Sequence, residues 1–309
     1  MPLRLYSLLT THYSLLTISP TMTQPVFRFA PSPNGELHLG HALSALIGYE
    51  RARTCGGRFL LRMEDIDTGR SRPQFVAGIF ANLAWLGIVW EEPVVFQSQR
   101  LSAYRAAAGQ LERMGLLYPC FATRAEIDAA VADGARDPDG APLYPGLYKG
   151  RDASEVARRR AAGEAFALRM DMGAAIAAAT AKLQGAPLFF TELAEDGTSQ
   201  TIEARPERWG DAVIVRKDAP ASYHLAVVVD DAWQGVTHVT RGRDLYPTTD
   251  LHRLLQVLLD RPAPIYHHHR LITDDQGRKL AKSARDTSLK SLRESGCSPA
   301  DIRRMVGLE

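Results

Sequence analysis

The sequence predicts an α/β fold, and three observations carry that prediction. Two short apolar runs, VFRFA (Val26–Ala30) and RFLLRM (Arg58–Met63), read as strands. Between them lies a stretch of helical periodicity from about Leu39 to Arg53. A strand, a helix and a strand at this spacing form a βαβ unit, normally parallel and right-handed. The third observation is the joining segment FAPSPNGELHLGH (Phe29–His41), with two prolines, two glycines and two histidines. So many breakers exclude helix or central strand and leave a shaped loop feeding a helix start, which usually holds a ligand.

Further helices are predicted over 72–86 and 101–114, the second ending at Gly115 as a C-terminal cap would. Between Pro119 and Pro206 the composition turns alanine-rich, charged and glycine-punctuated, and reads as an insertion into the α/β domain. Apolar runs resume from Asp211 with AVIV and LAVVV. LHRLLQVLL then repeats Leu251, Leu254, Leu255 and Leu258 at helical spacing, most simply a core face. The 26 residues after Ser283 are too few for a second sizeable domain, and there is no internal repeat.

Of 309 residues, 45% are hydrophobic and 23% charged, as in an ordinary soluble globular protein. A formal charge of +2 neither demands nor excludes a nucleic-acid partner. Cys55, Cys120 and Cys297 are odd in number and far apart, which argues for a reducing compartment, and a cytoplasmic location is expected. Residues 1–22 contain no run long enough to span a membrane, so they are expected to be a disordered extension ahead of a functional start at Met22.

Two motifs carry chemistry. Strand, loop and helix place HLGH at a helix N-terminus at the edge of a parallel sheet, where amides and the helix dipole favour anions. Gly40 would let a flat base approach the backbone, and His38 and His41 could donate to phosphate oxygens; the simpler alternative is a pair of surface histidines beside a cap. KLAKS follows a strand-like IYHHHRLIT and a polar DDQG turn. Its two lysines, Lys279 and Lys282, can neutralise phosphate charge that develops during transfer, although most lysine pairs on loops are solvated surface.

Together, HxGH and KxxKS resemble the paired signature motifs of class I aminoacyl-tRNA synthetases. RFAPSPNGELHLGHA, LRMEDIDTGRSRPQF, YHLAVVVDDAWQGVTHVTRGRDL and HHHRLITDDQGRKLAKS are similar to the catalytic core of bacterial glutamyl-tRNA synthetases, from about Val26 to Thr287. The resemblance implies a Rossmann-like core with an inserted α+β subdomain and no anticodon-binding domain. The implied organisation is an extension (1–22), the first half of the core (23–118), the insertion (119–205), the second half (206–270), and the lysine loop with a short helical segment (271–309). The shortness resembles a truncated branch of the family that attaches glutamate to the queuosine base at the wobble position of tRNA(Asp).

The resemblance implies ATP-dependent, tRNA-independent activation of L-glutamate, with Mg2+ accompanying ATP, tRNA(Asp) carrying queuosine as acceptor, no membrane partner and a monomer. Attack by a substrate carboxylate on the α-phosphate needs no enzyme nucleophile, only positioning and charge stabilisation. By resemblance, His38, His41, Lys279 and Lys282 are the catalytic residues, and His38, Gly40, His41 and Lys282 hold ATP. The glutamate site draws on Arg28, Phe29, Ala30, Pro31 and Ser32, with Arg28 offering a fork to a carboxylate and Glu64 pairing the amino group. Tyr223 and Arg241 match the other glutamate contacts. Each has a blander alternative: Glu64 and Asp65 as a solvated turn, Arg241 as a partner of Asp244, Tyr223 as core packing. Other readings of the chain are a truncated synthetase charging a terminal ribose, an idle paralogue that binds glutamate or RNA, and a small nucleotidyltransferase sharing only HxGH.

Family members often hold zinc in the insertion through cysteines and a tyrosine. The matching positions here are Cys120, Ala122, Tyr144 and Tyr148, so no metal is expected, and Tyr118, Phe121, Tyr144 and Tyr148 are expected to cluster instead. His267, His268 and His269 alternate in direction along a strand and cannot converge on one ion, though one imidazole could face the nucleotide. Arg158–Arg160 reads as a solvated helix face, with an RNA phosphate contact as the alternative.

Overall fold

A computed structural model describes residues 24–131, 134–272 and 288–308. The expected extension (1–22) and both lysines of KLAKS, Lys279 and Lys282, lie outside these residues. The chain runs β1 (Val26–Phe29), α1 (Leu39–Thr54), β2 (Arg58–Met63), α2 (Pro73–Trp85), β3 (Glu91–Phe96) and α3 (Leu101–Arg113). Gly115, just past α3, has φ +72°, the left-handed conformation its position after the helix requires. Then follow β4 (Leu117–Cys120), α4 (Arg124–Ala130), α5 (Ala153–Ala161), β5 (Ala167–Met170), α6 (Met172–Lys182), β6 (Phe189–Leu193), β7 (Ser199–Glu203) and β8 (Val213–Val215). The last elements are α7 (Tyr223–Trp233), β9 (His238–Gly242), α8 (Thr248–Leu258), β10 (Ile265–His269), α9 (Leu289–Glu294) and α10 (Pro299–Met305).

The main sheet has the order β3-β2-β1-β9-β10-β6-β7. All its pairings are parallel except the β6–β7 hairpin. Strand order reverses between β1 and β9, and the crevice outside the carboxyl ends of strands at such a switch point is where open α/β sheets bind ligands.

Alternation along the strands sorts side chains to two faces. Phe27, Phe29, Phe59, Leu61 and Met63 pack with α1 and α2 in one apolar cluster. Val26, Leu60, Val239 and Tyr266 pack with α3, α6, α7 and α8 in the other. Arg28, Arg62, Arg241 and His268 share their parity and therefore face the α7–α8 side.

The expected insertion boundary is not where the sheets divide. A separate three-stranded sheet has the order β4-β5-β8, so it draws β8 from beyond residue 205. β6 and β7, inside 119–205, instead extend the main sheet, with β6 paired to β10 at Thr191–Ile265 and Glu192–Tyr266. Met172, Ala175 and Ala179 of α6 likewise join the main apolar cluster beside Leu251 and Leu254. Ala175 and Ala179 of α6 are thus buried small residues of that shared core. The LAVVV run lies in α7, entered through Ser222, whose side chain accepts from the Leu225 amide; burial there overrides the strand preference of its valines.

Candidate active site

A cleft of about 700 Å³ lies at the switch point, walled by Arg28–Ser32 at the end of β1 and just beyond it, by Thr240–Gly242 at the end of β9, and by the start of α1. Every described residue expected to bind glutamate or ATP lines it: Arg28, Phe29, Ala30, Pro31, Ser32, His38, Gly40, His41, Glu64, Tyr223 and Arg241. Asp65 is turned away, its carboxylate accepting from the Ser98 amide and hydroxyl at 2.8 and 2.6 Å.

HLGH forms the first turn of α1 as a histidine cap. His38 Nδ1 accepts from the Gly40 amide at 3.1 Å, and His41 Nδ1 accepts from the His38 amide at 3.2 Å. A neutral imidazole that accepts at Nδ1 carries its proton on Nε2, so both rings are set as Nε2 donors. Gly40 has a second reason to be glycine beside the one expected. A Cβ there would come within 3.0 Å of the His38 ring, so its bare face accommodates the capping imidazole.

Beneath one wall lies a buried charge network. Arg28 donates side-on to Asp231 through Nε (3.1 Å) and Nη2 (3.4 Å), and Arg62 Nη1 donates to the same carboxylate at 2.8 Å. The fork expected of Arg28 is thus engaged with Asp231 along that edge. Burial pushes Asp231 up, but the two guanidiniums outweigh it and hold the carboxyl below its usual range. The neighbouring Asp230 accepts from Gln97, Arg100 and Tyr104. Glu64, 3.6 Å from Arg62, is raised by burial to about 7 against the opposing pull of Arg62 and Arg28.

The opposite wall is built differently. Arg241, 5% exposed, donates from Nε to His268 Nε2 (3.0 Å), from Nη2 to Thr249 Oγ1 (2.6 Å), and from Nη1 to His252 Nδ1 (3.3 Å) and the Tyr223 hydroxyl (3.4 Å). All four acceptors are uncharged. Burial, reinforced by Arg241, lowers His224 to about 4 and His252 well below its ordinary value, while burial lowers His268 to about 4 despite its bond to Glu192. Arg241 is therefore a buried cation whose hydrogen-bond acceptors carry no balancing charge, and four of its five N–H groups are already used on protein.

The three histidines of β10 alternate as a strand requires. His268 faces Arg241, while His267 and His269 face α1, meeting Arg51 at 3.4 Å and Ser44 at 2.6 Å. His269 is the imidazole of the three that lines the cleft. Among the described residues no group of three or more His, Cys, Asp and Glu side chains is gathered to hold a metal ion. At the positions matched by resemblance to a zinc site, Cys120 donates to the Tyr144 hydroxyl (3.3 Å), which accepts from the Tyr148 amide (2.8 Å). Cys120, Ala122 and Tyr144 form a small buried core flanked by Tyr118 and Tyr148, and Phe121 lies 5.5 Å from Phe166 and 5.7 Å from Tyr148. Arg159 and Arg160 pair with Glu164 and Glu112 and lie over Phe121 and Phe166. Among the described residues no helix is long and apolar enough to cross a membrane.

Arg62, Asp231, His252 and Thr249 were not singled out from sequence. One signal was available: Asp230 and Asp231 close an apolar helical run, and Arg28 and Arg62 sit in strands buried on both faces, where a charge needs a partner.

A mostly parallel sheet with a capped, anion-favouring helix start at its switch point is the arrangement of doubly wound α/β domains that bind nucleotides. A family model described as tRNA synthetases class I (E and Q), catalytic domain, matches residues 25–308. A glutamyl-Q tRNA(Asp) synthetase of Rhodobacter capsulatus is 46% identical over 294 residues, covering 92% of this chain and 100% of that one. A glutamate–tRNA ligase 2 of a Methylobacterium species is 38% identical, over 92% of this chain and 60% of its own length. The solved structure of a glutamate tRNA ligase from Elizabethkingia meningosepticum, in complex with its amino acid, superposes with a TM-score of 0.71 at 27% identity. It covers 92% of this chain, which spans 60% of that protein. The chain belongs to the class I tRNA synthetases of the glutamate and glutamine type.

Proposed function

We propose that the chain activates L-glutamate with ATP in the absence of tRNA and transfers it to the queuosine base at the wobble position of tRNA(Asp). The observation that carries this reading is Arg241, a buried cation beside Tyr223 whose acceptors among the described residues are uncharged, in the same cleft as the histidine cap. An amino-acid carboxylate supplies the missing charge. The reacting carboxylate must meet the α-phosphate near His38 and His41, so Arg241 takes the side-chain carboxylate and Glu64 the ammonium. The Nε2 donors of His38 and His41 stabilise phosphate oxygens as pyrophosphate leaves, with Lys279 and Lys282 assigned by resemblance to the same task. ATP enters with Mg2+. The free thiols Cys55, Cys120 and Cys297 suit a reducing cytoplasm.

The queuosine diol resembles the vicinal hydroxyls of a terminal ribose, so an acyl-transfer site of this family can serve it. The R. capsulatus relative, named a glutamyl-Q tRNA(Asp) synthetase and matched along its whole length, supports that acceptor. Radiolabelled glutamate offered to purified tRNA fractions tests this. Labelling is expected on tRNA(Asp) with queuosine and not after periodate cleavage of the diol. Labelling of tRNA(Glu) instead would identify a ribose-charging enzyme.

A further inference from the structure

We propose that Glu192 and His268 are positioning residues that aim the Arg241 guanidinium into the cleft by fixing which nitrogen of His268 carries the proton. The inference rests on the reading of the cleft as a glutamate site. Neither residue lines the cleft, so any effect on the amino acid must act through Arg241.

The geometry leaves one consistent proton arrangement. Glu192, on β6, accepts from the His268 backbone amide through Oε1 (2.9 Å) and faces His268 Nδ1 through Oε2 (2.8 Å). An ionised carboxylate only accepts, so Nδ1 must donate and Nε2 is left with its lone pair. That lone pair faces Arg241 Nε at 3.0 Å and Thr249 Oγ1 at 3.3 Å. A guanidinium Nε always donates, so a proton on His268 Nε2 would set two donors against each other. His268 and Arg241 are register partners on β10 and β9, and Glu192 and Tyr266 are partners on β6 and β10. Three adjacent parallel strands thus carry a carboxylate, an imidazole and a guanidinium in a row, with the guanidinium at the cleft end.

Glu192→Gln tests the device because it keeps size and removes one acceptor. The backbone amide of His268 cannot cease to donate, so the new amide oxygen must serve it and the new NH2 must face Nδ1. His268 is then driven to the Nε2–H form, against Arg241 Nε. In 15N-histidine spectra, His268 is expected in the Nδ1–H form in the wild type and the Nε2–H form in Glu192→Gln. Calorimetric titration should give roughly tenfold weaker glutamate binding for Glu192→Gln, with ATP affinity unchanged and no further loss when it is combined with Arg241→Ala. An Nε2–H tautomer in the wild type overturns the inference whether or not the variant folds. So does wild-type glutamate affinity in Glu192→Gln when Arg241→Ala binds poorly. If Arg241→Ala binds glutamate as the wild type does, the reading of the cleft fails, and the wild-type tautomer still decides the proton arrangement.

Discussion

Two buried arginines line the same cleft in opposite company. Arg28 is held by Asp231, with Arg62, Glu64 and Asp230 close by, so its charge is balanced inside the protein. Arg241 is surrounded by His268, His252, Thr249 and Tyr223, none of them charged at neutral pH. A cation balanced internally serves the scaffold first. We read Arg241, with no anion among its described hydrogen-bond partners, as the cation kept for a charged ligand, because desolvation has already been met by folding.

The largest effect expected from this contrast is on stability. Asp231→Ala strands the guanidiniums of Arg28 and Arg62 without their shared carboxylate and should lower unfolding free energy by about 3–5 kcal/mol. Denaturant unfolding measures it, and a loss under about 1 kcal/mol would erase the distinction between the two walls. Arg241→Ala should do the reverse. It orphans no carboxylate among its hydrogen-bond partners, so the fold should tolerate it, while glutamate affinity falls on the order of a hundredfold and ATP binding stays nearly intact. Equal losses for both ligands would contradict the assignment.

Glu64 sharpens the comparison through pH. Burial raises its carboxyl from the ordinary 4.5 to about 7, so in the ligand-free protein it favours folding below about 4.5, and that contribution is lost as pH rises through about 7. An ammonium bound beside it favours the ionised form. Glutamate binding near pH 7 should therefore release up to about half a proton and tighten as pH rises through that range. Calorimetry in buffers of different ionisation enthalpy reads this, and proton uptake, or release that persists in Glu64→Gln, would count against the contact.

The smallest effect belongs far from both arginines. Cys120→Ser alters a buried thiol bonded to Tyr144 and should cost about 1 kcal/mol, leaving glutamylation intact. Protein purified without chelator should carry well under one zinc per chain. Stoichiometric zinc, or loss of folding with chelator, would mean that other residues complete a site there.

β2 and α1 were legible in the sequence because RFLLRM is a short, mostly apolar strand run and HLGH marks a helix start by its own caps, both local signals. Arg28, Glu64, Tyr223 and Arg241 were legible through family resemblance. Strand pairing was not. That β6–β7 joins the main sheet while β8 leaves it depends on contacts across tens of residues, for which composition carries no sign. The company of Arg241 was equally hidden: HHH offered at most one imidazole to a nucleotide, and its middle member became a guanidinium acceptor only once β6 set Glu192 beside it.

Glutamate-dependent exchange of pyrophosphate into ATP, assayed without tRNA, tests the central claim most directly. The account predicts exchange that requires glutamate, is not supported by glutamine, whose neutral amide cannot balance Arg241, and disappears in Arg241→Ala. Absence of exchange until tRNA is added, or equal exchange with glutamine, would contradict it.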